Sequence, residues 1–578
     1  MRNKHSRGFV LCLCILSAAW FLGLTGLAKA EPPEESSNFQ LLGSVDTADD
    51  GTPAKSRAYS KIAPWPDTES TFLNAGCYES SISAGSVGCF RVVDVSDPKS
   101  PKRIATVEVF DRVQSPRPPG PDDPYWTGKD EYNVWKNDKF NNLPFSTACG
   151  DWKVDASGKH SGPGWHDTPG EATCWDKGWI TRTHFTAGAS GDFQKPGRGY
   201  GSGSNKKSSI YWVNSQRQFD APAKRLGYTG IAFYDLKDPQ RPEFLSRIDM
   251  QAGRSADGAY TNAGGVHHGF FDGRYAYLGA AEDGYIGDHL VIVDAKDPRN
   301  PKIVGRWWVP GQKTPEEDDI RNSTAIDPQT GLMKGWKLGG SFAPIKIDPS
   351  GLLVKDVSFH YIDLRRIRGK DIAFIAWHGA GLIILDLTDK SRPKFLSRFD
   401  YLTPAFQAND TLPGAKAVHD KCVEVNGPDT ACGNAHSAKL VPGTNTLWMS
   451  DEYFALPYGH LRFFDVSDLK KPKLLSHFYF EDYTLNRPAS YYPKRTASTH
   501  LGNTWGKNLL FLAWYGLGVK AVNFADPRKP YLAGSYSYSI KDGKGGQATY
   551  DVVFDPKGNL CVSDSNDGVR ILRYTGPK

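Results

Sequence analysis

Methionine is nearly missing from this sequence, 4 of 578 residues, and histidine is scarce at 14. Lysine, glycine, proline and aromatic residues are plentiful instead, which fits a rigid, turn-rich β protein better than a helical one. No Ser-His-Asp arrangement, phosphate loop or nucleotide fingerprint is visible. No basic stripe with interleaved aromatics is present, so nucleic acid is not an expected partner. Cysteine is also sparse, 9 residues, and none of the spacings matches a zinc signature.

The first thirty residues are distinct from the rest. Arg2, Lys4 and Arg7 precede the apolar run FVLCLCILSAAWFLGLTGL, and AKA at 28–30 ends it. This is the pattern of an export leader with cleavage after Ala30. The run is also long enough to span a bilayer, so retention as an anchor is the alternative. Four of the 70 basic residues lie in the leader, which leaves 66 against 64 acidic ones, an ordinary solvated surface. A periplasmic or secreted protein without stable membrane insertion is expected. Seven cysteines remain after the leader. Cys77 with Cys89, Cys149 with Cys174 and Cys422 with Cys432 are near neighbours that could close short loops in an oxidising compartment. Cys561, in the apolar run NLCVSD, reads as a buried free thiol.

An internal repeat organises the chain. DVSDPKSP (94–101), DLKDPQRP (235–242), DAKDPRNP (294–301), DLTDKSRP (386–393), DVSDLKKP (465–472) and NFADPRKP (523–530) are six copies of one turn. Each follows a β-branched or aromatic run and precedes another, as in LIIL and FLSRFD around the fourth copy. Asp bonds nearby backbone N–H groups and Pro fixes φ, so the octet is a rigid turn between strands. Two further strand-like runs lie upstream of each later turn, giving a four-stranded antiparallel unit of about 40 residues. After the sixth turn, YDVVFDPKGNLCVSDSNDGVRILRY (550–574) supplies three strands only. LLGSVD at 41–46 resembles the fourth strands FLSRID and FLSRFD and would complete that last unit. The expected fold is all-β, a seven-bladed β-propeller over 31–578 whose N-terminal strand 41–46 closes the ring.

At HLVIVDAKDPRNP the chain resembles the LVIVD-repeat β-propellers, and the likeness covers most of 40–575. The resemblance implies the fold and leaves the chemistry open. The units near 55–110 and 180–250 depart from the regular spacing.

Distances counted back from the turns line up four histidines. His268 and His360 each stand 26 residues before their turn, His436 stands 29 before and His500 stands 23 before. In the last unit the corresponding residue is Asp551. Alternate strand residues face opposite ways, so this count selects His268 over His267. First strands of propeller blades line the central channel, so four imidazoles at one level would converge on one volume. Imidazole is a common ligand for iron, copper and zinc. The expectation is one transition-metal ion held by His268, His360, His436 and His500, iron or copper preferred and zinc possible. Whether His184 joins them is open.

Antiparallel order brings the ends of the second strands to the same face. These carry Glu282, His378, Asp451, Glu452, Tyr515 and Asp564. Together with Asp551 they are candidates for orienting the imidazoles or touching substrate. The long connections, roughly 111–183, 309–355, 401–433 and 480–497, open on this face too. Long loops on a rigid scaffold usually carry function, and their Trp and Tyr content suits apolar or aromatic groups.

Four histidines without a carboxylate or thiolate suit redox-active iron or copper at least as well as hydrolytic zinc. The arrangement is similar in architecture to carotenoid-cleaving oxygenases, whose four histidines hold ferrous iron on the channel axis. It is similar also to the copper-dependent selenium-binding-protein and methanethiol-oxidase propellers. No sequence motif of either group is present. The expected function is therefore a metal-dependent oxidoreductase acting on a small apolar or aromatic substrate. The alternative is a non-catalytic extracytoplasmic platform that binds a protein, glycan or small ligand; zinc- or calcium-dependent hydrolysis is a weaker third.

Overall fold

A computed structural model describes residues 37–45, 89–108, 265–282, 288–309, 358–399, 415–426, 433–453, 457–485, 497–537, 549–555, 557–564 and 568–577. It also describes most of 230–250 and shorter pieces, among them strands at 58–64, 72–77, 182–188 and 210–216. The leader, Cys149 and Cys174, Cys432 and most of the four long connections lie outside the described residues.

The protein is all-β, built from four-stranded antiparallel sheets. Four are separate sheets, and three of these run in chain order: Ser358–Ile367 to Lys394–Phe399, Ala435–Leu440 to Lys473–Phe478, and Gly502–Trp505 to Tyr531–Tyr536. Gly265–Phe271 to Lys302–Trp307 forms a further set, which joins the strands upstream of it in one larger sheet. Within that larger sheet the two irregular units each contain four strands, Ala58–Pro64 to Lys102–Glu108 and Arg182–Gly188 to Glu243–Asp249. They meet through a parallel pairing of Lys61 with Phe185. The N-terminal strand Phe39–Val45 pairs antiparallel with Gly568–Tyr574 and completes a fourth-strand position beside Leu560–Asp564 and Thr549–Phe554.

The octet turns are built as their sequence requires. In DLTDKSRP, Asp386 accepts the Thr388 N–H at 3.0 Å and Asp389 accepts the Ser391 N–H at 3.0 Å, while the Asp389 carbonyl accepts from Arg392. The same three bonds recur at Asp94/Asp97, Asp235/Asp238, Asp294/Asp297, Asp465/Asp468 and Asn523/Asp526. Several of the turns are also docking points for a neighbouring unit. Ser246 donates to the Pro298 carbonyl, Ser397 to Leu469 and Ser476 to Pro527, at 2.5, 2.6 and 2.6 Å. Where that fourth-strand residue is glycine, backbone takes the place of the hydroxyl. A Cβ on Gly305 would overlap the Lys390 carbonyl, and one on Gly43 would lie 2.5 Å from the Pro98 carbonyl. Gly43 belongs to the N-terminal strand and Pro98 to the first turn, so this strand and that turn approach as Gly305 and Lys390 do. Lys557 donates to the Ser96 carbonyl at 2.8 Å, and Val45, Val553, Val569 and Ile571 pack with Val93 and Val95.

The cores lie between the sheets. Third strands such as GLIILD are buried throughout, which explains why they read as continuous apolar runs. The expected loops carry regular structure, of which the longest element is the helix Ala415–Asn426, with a one-turn helix at Glu481–Thr484. Ala415, Val418 and Cys422 recur on one buried face and Lys416 pairs with Asp420 one turn on, so the local sequence suits a helix packed on the scaffold. Cys422 is disulfide-bonded, with its partner outside the described residues. Cys561 is a buried free thiol, as expected. No helix among the described residues is long and apolar enough to cross a membrane.

Candidate metal centre

The imidazoles converge. Ring centroids step from His268 to His360, His436 and His500 at 4.1, 3.9 and 4.1 Å. His268, His360 and His436 come from the first strands of successive sheets, where the pairing with the second strand slips by one residue, and His500 lies just before the strand Gly502–Trp505. The slip falls between Phe359 and Tyr361, between Ala435 and Ser437, and between Thr549 and Asp551. His360, His436 and Tyr550 are therefore the extra residues of β-bulges, which re-aim a side chain out of the regular alternation. His500 stands in the same relation, since its N–H bonds the Ala513 carbonyl while the Leu501 carbonyl accepts from Ala513 N–H.

This register corrects the count along the sequence. In Gly265–Phe271 the slip lies between Val266 and His268, so the residue in step with His360 is His267. In the last unit Tyr550, not Asp551, holds the position. The count failed because two length differences nearly cancel. The span from His268 to its partner Gly279 is four residues shorter than that from Tyr361 to Ala376, while the link from Ala281 to His289 is five longer than that from His378 to Gly381. Both members of the pair nonetheless reach the cluster. His267 Nε2 lies 3.1 Å from His360 Nε2, and His268 is buried with its ring 5.9 Å from that of His436. His184 lies in the strand Arg182–Gly188, and its side chain is outside the described ones.

Backbone carbonyls set the ring tautomers. His360 Nδ1–H donates to the His436 carbonyl at 2.6 Å, and His500 Nδ1–H donates to the Tyr550 carbonyl at 2.5 Å. Each bond runs to the equivalent residue of the next sheet and leaves Nε2 with its lone pair. The His500 carbonyl is taken by the Ser437 and Ser450 hydroxyls, at 3.1 and 2.7 Å, and His436 Nδ1 finds no hydrogen-bond partner among the described residues. Burial holds His436 well below the ordinary imidazole range, with His360 and His500 adding to the effect. Burial likewise pushes His500 down to about 3, against the pull of the Tyr550 carbonyl. Both rings are neutral at neutral pH, the form that binds metal.

Glu452 changes the donor set. Its Oε2 lies 3.5 Å from His436 Nε2 and its Oε1 lies 3.9 Å from His500 Nε2, with the side chain 16% exposed. Tyr515 donates its hydroxyl to Oε1 from a backbone at φ 28°, and packs edge-on to His500. His378 stacks on His360 at 4.1 Å. Three sets of donors each lie within 4.8 Å of one another: His267, His268 and His360; His360, His378 and Glu452; and His436, Glu452 and His500. These histidine and glutamate groups could hold a metal ion. A carboxylate thus stands among the imidazoles, where the sequence offered Glu452 as an orienting or substrate-contact residue and not as a ligand.

The other candidates hold the scaffold. Glu282 binds Arg306 through both oxygens, at 2.6 and 2.8 Å, and His289 Nε2 at 3.0 Å. Burial would raise its pKa, but these two partners outweigh burial and hold it at about 2. Asp451, adjacent to Glu452, is fully buried against Arg462 and accepts the Asn434 N–H at 3.1 Å. Asp551 accepts the Val552 N–H at 2.8 Å, and Asp564 accepts from Thr549 at 3.3 Å. None of these four belongs to the donor groups found among the described residues.

Residues 370–401 match the LVIVD repeat model, which covers the second to fourth strands of the sheet that carries His360. No curated protein matches the chain. Solved structures similar to it include the periplasmic gluconolactonase PpgL of Pseudomonas aeruginosa, at 10% identity and TM-score 0.33, covering 74% of this chain and 93% of that one. Sqt1 of Saccharomyces cerevisiae is similar at 8% identity and TM-score 0.40, covering 94% and 100%. Sqt1 of Chaetomium thermophilum is similar at 10% identity and TM-score 0.40, over the same shares.

Proposed function

We propose that this chain is an exported, seven-bladed propeller with a transition-metal centre on its channel axis, and that it acts as a metal-dependent oxidoreductase on a small apolar or aromatic substrate. The observation that carries the reading is the convergence of His360, His436 and His500 on the Glu452 carboxylate, with the first and last rings oriented by backbone carbonyls. Imidazoles with one carboxylate and open positions are the donor pattern of non-haem ferrous oxygenases. The carboxylate therefore favours iron over copper and leaves zinc as the hydrolytic alternative. When bound, the ion would supply one-electron redox chemistry beside the open positions. The chain itself contributes lone pairs at His436 and His500, neutralising charge at Glu452, and orientation of that carboxylate through the Tyr515 hydroxyl.

Seven units and closure are supported by the docking of Gly43 on Pro98 and by the pairing of Phe39–Val45 with the C-terminal strand. Export is supported by the leader and by the cysteines. Register puts Gly76 opposite Phe90, which brings Cys77 and Cys89 to adjoining ends of paired strands. Disulfides Cys77–Cys89, Cys149–Cys174 and Cys422–Cys432 belong to this reading.

The experiment is metal analysis of the mature protein, purified without a histidine tag, beside H360A and H436A. Stoichiometric iron that is lost in the variants, with dioxygen uptake restricted to the metal-loaded form, supports the reading. Stoichiometric zinc moves it to hydrolysis. No metal after incubation with ferrous iron, copper and zinc overturns it.

A further inference from the structure

The donors around the channel are more numerous, and more widely spread, than one ion can use. Six imidazoles and one carboxylate take part. Two ligands bound at about 2.0–2.1 Å to one ion lie at most about 4.2 Å apart. Among the described residues no mutually close group combines His267 or His268 with His436 or His500. The donors therefore divide into His267, His268 and His360 on one side, and His436, Glu452 and His500 on the other.

We infer that the centre is dinuclear, with a second first-row transition-metal ion held by His267, His268 and His360. This rests on the metal-centre reading above and adds the second ion to it. The 3.1 Å between His267 Nε2 and His360 Nε2 is the separation of two nitrogens at adjacent positions around one ion, about 3.0–3.4 Å. His360 keeps its proton on Nδ1, where it is donated in a hydrogen bond to the His436 carbonyl, so its Nε2 presents a lone pair toward His267. The bulge after Val266 is what delivers two consecutive histidines to one side, against the alternation of a regular strand. His378 and Glu452 form with His360 the group that links the two halves, as a shared middle requires. The all-imidazole half suits copper or zinc, and the carboxylate half suits iron or zinc.

The test is a titration of metal-free, tag-free protein with cobalt(II), followed by visible absorption and by metal analysis after gel filtration. Two equivalents per chain are expected. The variant H267A/H268A should keep one equivalent and lose the other, and E452Q/H500A should keep the complementary one. Circular dichroism and thermal melting check that both variants fold. H267A alone provides a milder second variant, since His267 is half-buried rather than part of the core, and it should weaken only one equivalent. One equivalent in the parent protein, or two retained in H267A/H268A, overturns the second ion and leaves a simple hydrogen bond between His267 and His360. Zero equivalents overturns the metal centre as a whole.

Discussion

His360 donates its Nδ1 proton to the carbonyl oxygen of His436, 2.6 Å away in the next sheet. The ring orientation of one unit is thereby fixed by the bulge of its neighbour, and His500 repeats the arrangement with Tyr550. Imidazoles held in one tautomer by an outer partner are better ligands, because their lone pairs are already aimed.

Tyr515 holds the carboxylate as those carbonyls hold the rings. Y515F should lower metal affinity about 10- to 100-fold, the usual cost of removing a partner that orients a ligand. Competition with a chromophoric chelator measures it. An unchanged affinity would show that the hydroxyl bond to Glu452 does not orient a ligand.

Two adjacent acids should separate cleanly. E452Q is expected to lose the ion held with His436 and His500 and leave the fold intact. D451A should leave Arg462 buried without its counter-charge and cost about 3–5 kcal/mol. Chemical denaturation of the apoproteins, paired with metal analysis, distinguishes them.

Gly305 tests the docking of sheet on turn. The Lys390 carbonyl occupies the place of its Cβ, so G305A must move backbone and should cost about 1–3 kcal/mol. A melting temperature equal to the parent's would mean that the contact is not rigid.

Acid should weaken the apoprotein. His460 and His477 share a 3.0 Å ring-to-ring hydrogen bond inside the protein, and burial pushes His460 down to about 4 and His477 well below the ordinary range. The unfolded chain takes up these protons near pH 6.5 while the folded one does not. Stability is therefore full above about pH 6.5 and falls as pH drops toward 4. His460 alone accounts for a loss on the order of 3 kcal/mol. Denaturation midpoints of apoprotein from pH 7.5 to 4.5 should fall along this limb, and H460L/H477L should flatten it.

The repeat was legible because its turns are chemically specific. Asp386 and Asp389 can be read from sequence as N–H acceptors, and both act so. The N-terminal strand was legible for a similar reason, since LLGSVD looks like a fourth strand and pairs as one. What the sequence concealed was the slip in each first strand. A bulge requires no particular residue type, and strand and link lengths differ between units, so counting from the turn chose His268 and Asp551 where the register chooses His267 and Tyr550. Glu452 was recognised as lying on the correct face, but its place among the rings depends on which of two adjacent acids turns inward. Asp451 turns toward Arg462 instead, a partner eleven residues away whose burial no local pattern announces. The helix Ala415–Asn426 was missed because it sits in a stretch without the repeat's punctuation.

The most direct test of the central claim is anomalous diffraction from crystals of the tag-free protein, grown with ferrous iron under anaerobic conditions and measured across the iron edge. The account predicts a peak about 2.0–2.2 Å from His436 Nε2, His500 Nε2 and a Glu452 oxygen, absent from H436A crystals. An empty channel in crystals soaked with excess iron, copper or zinc, with those side chains in place, would contradict it.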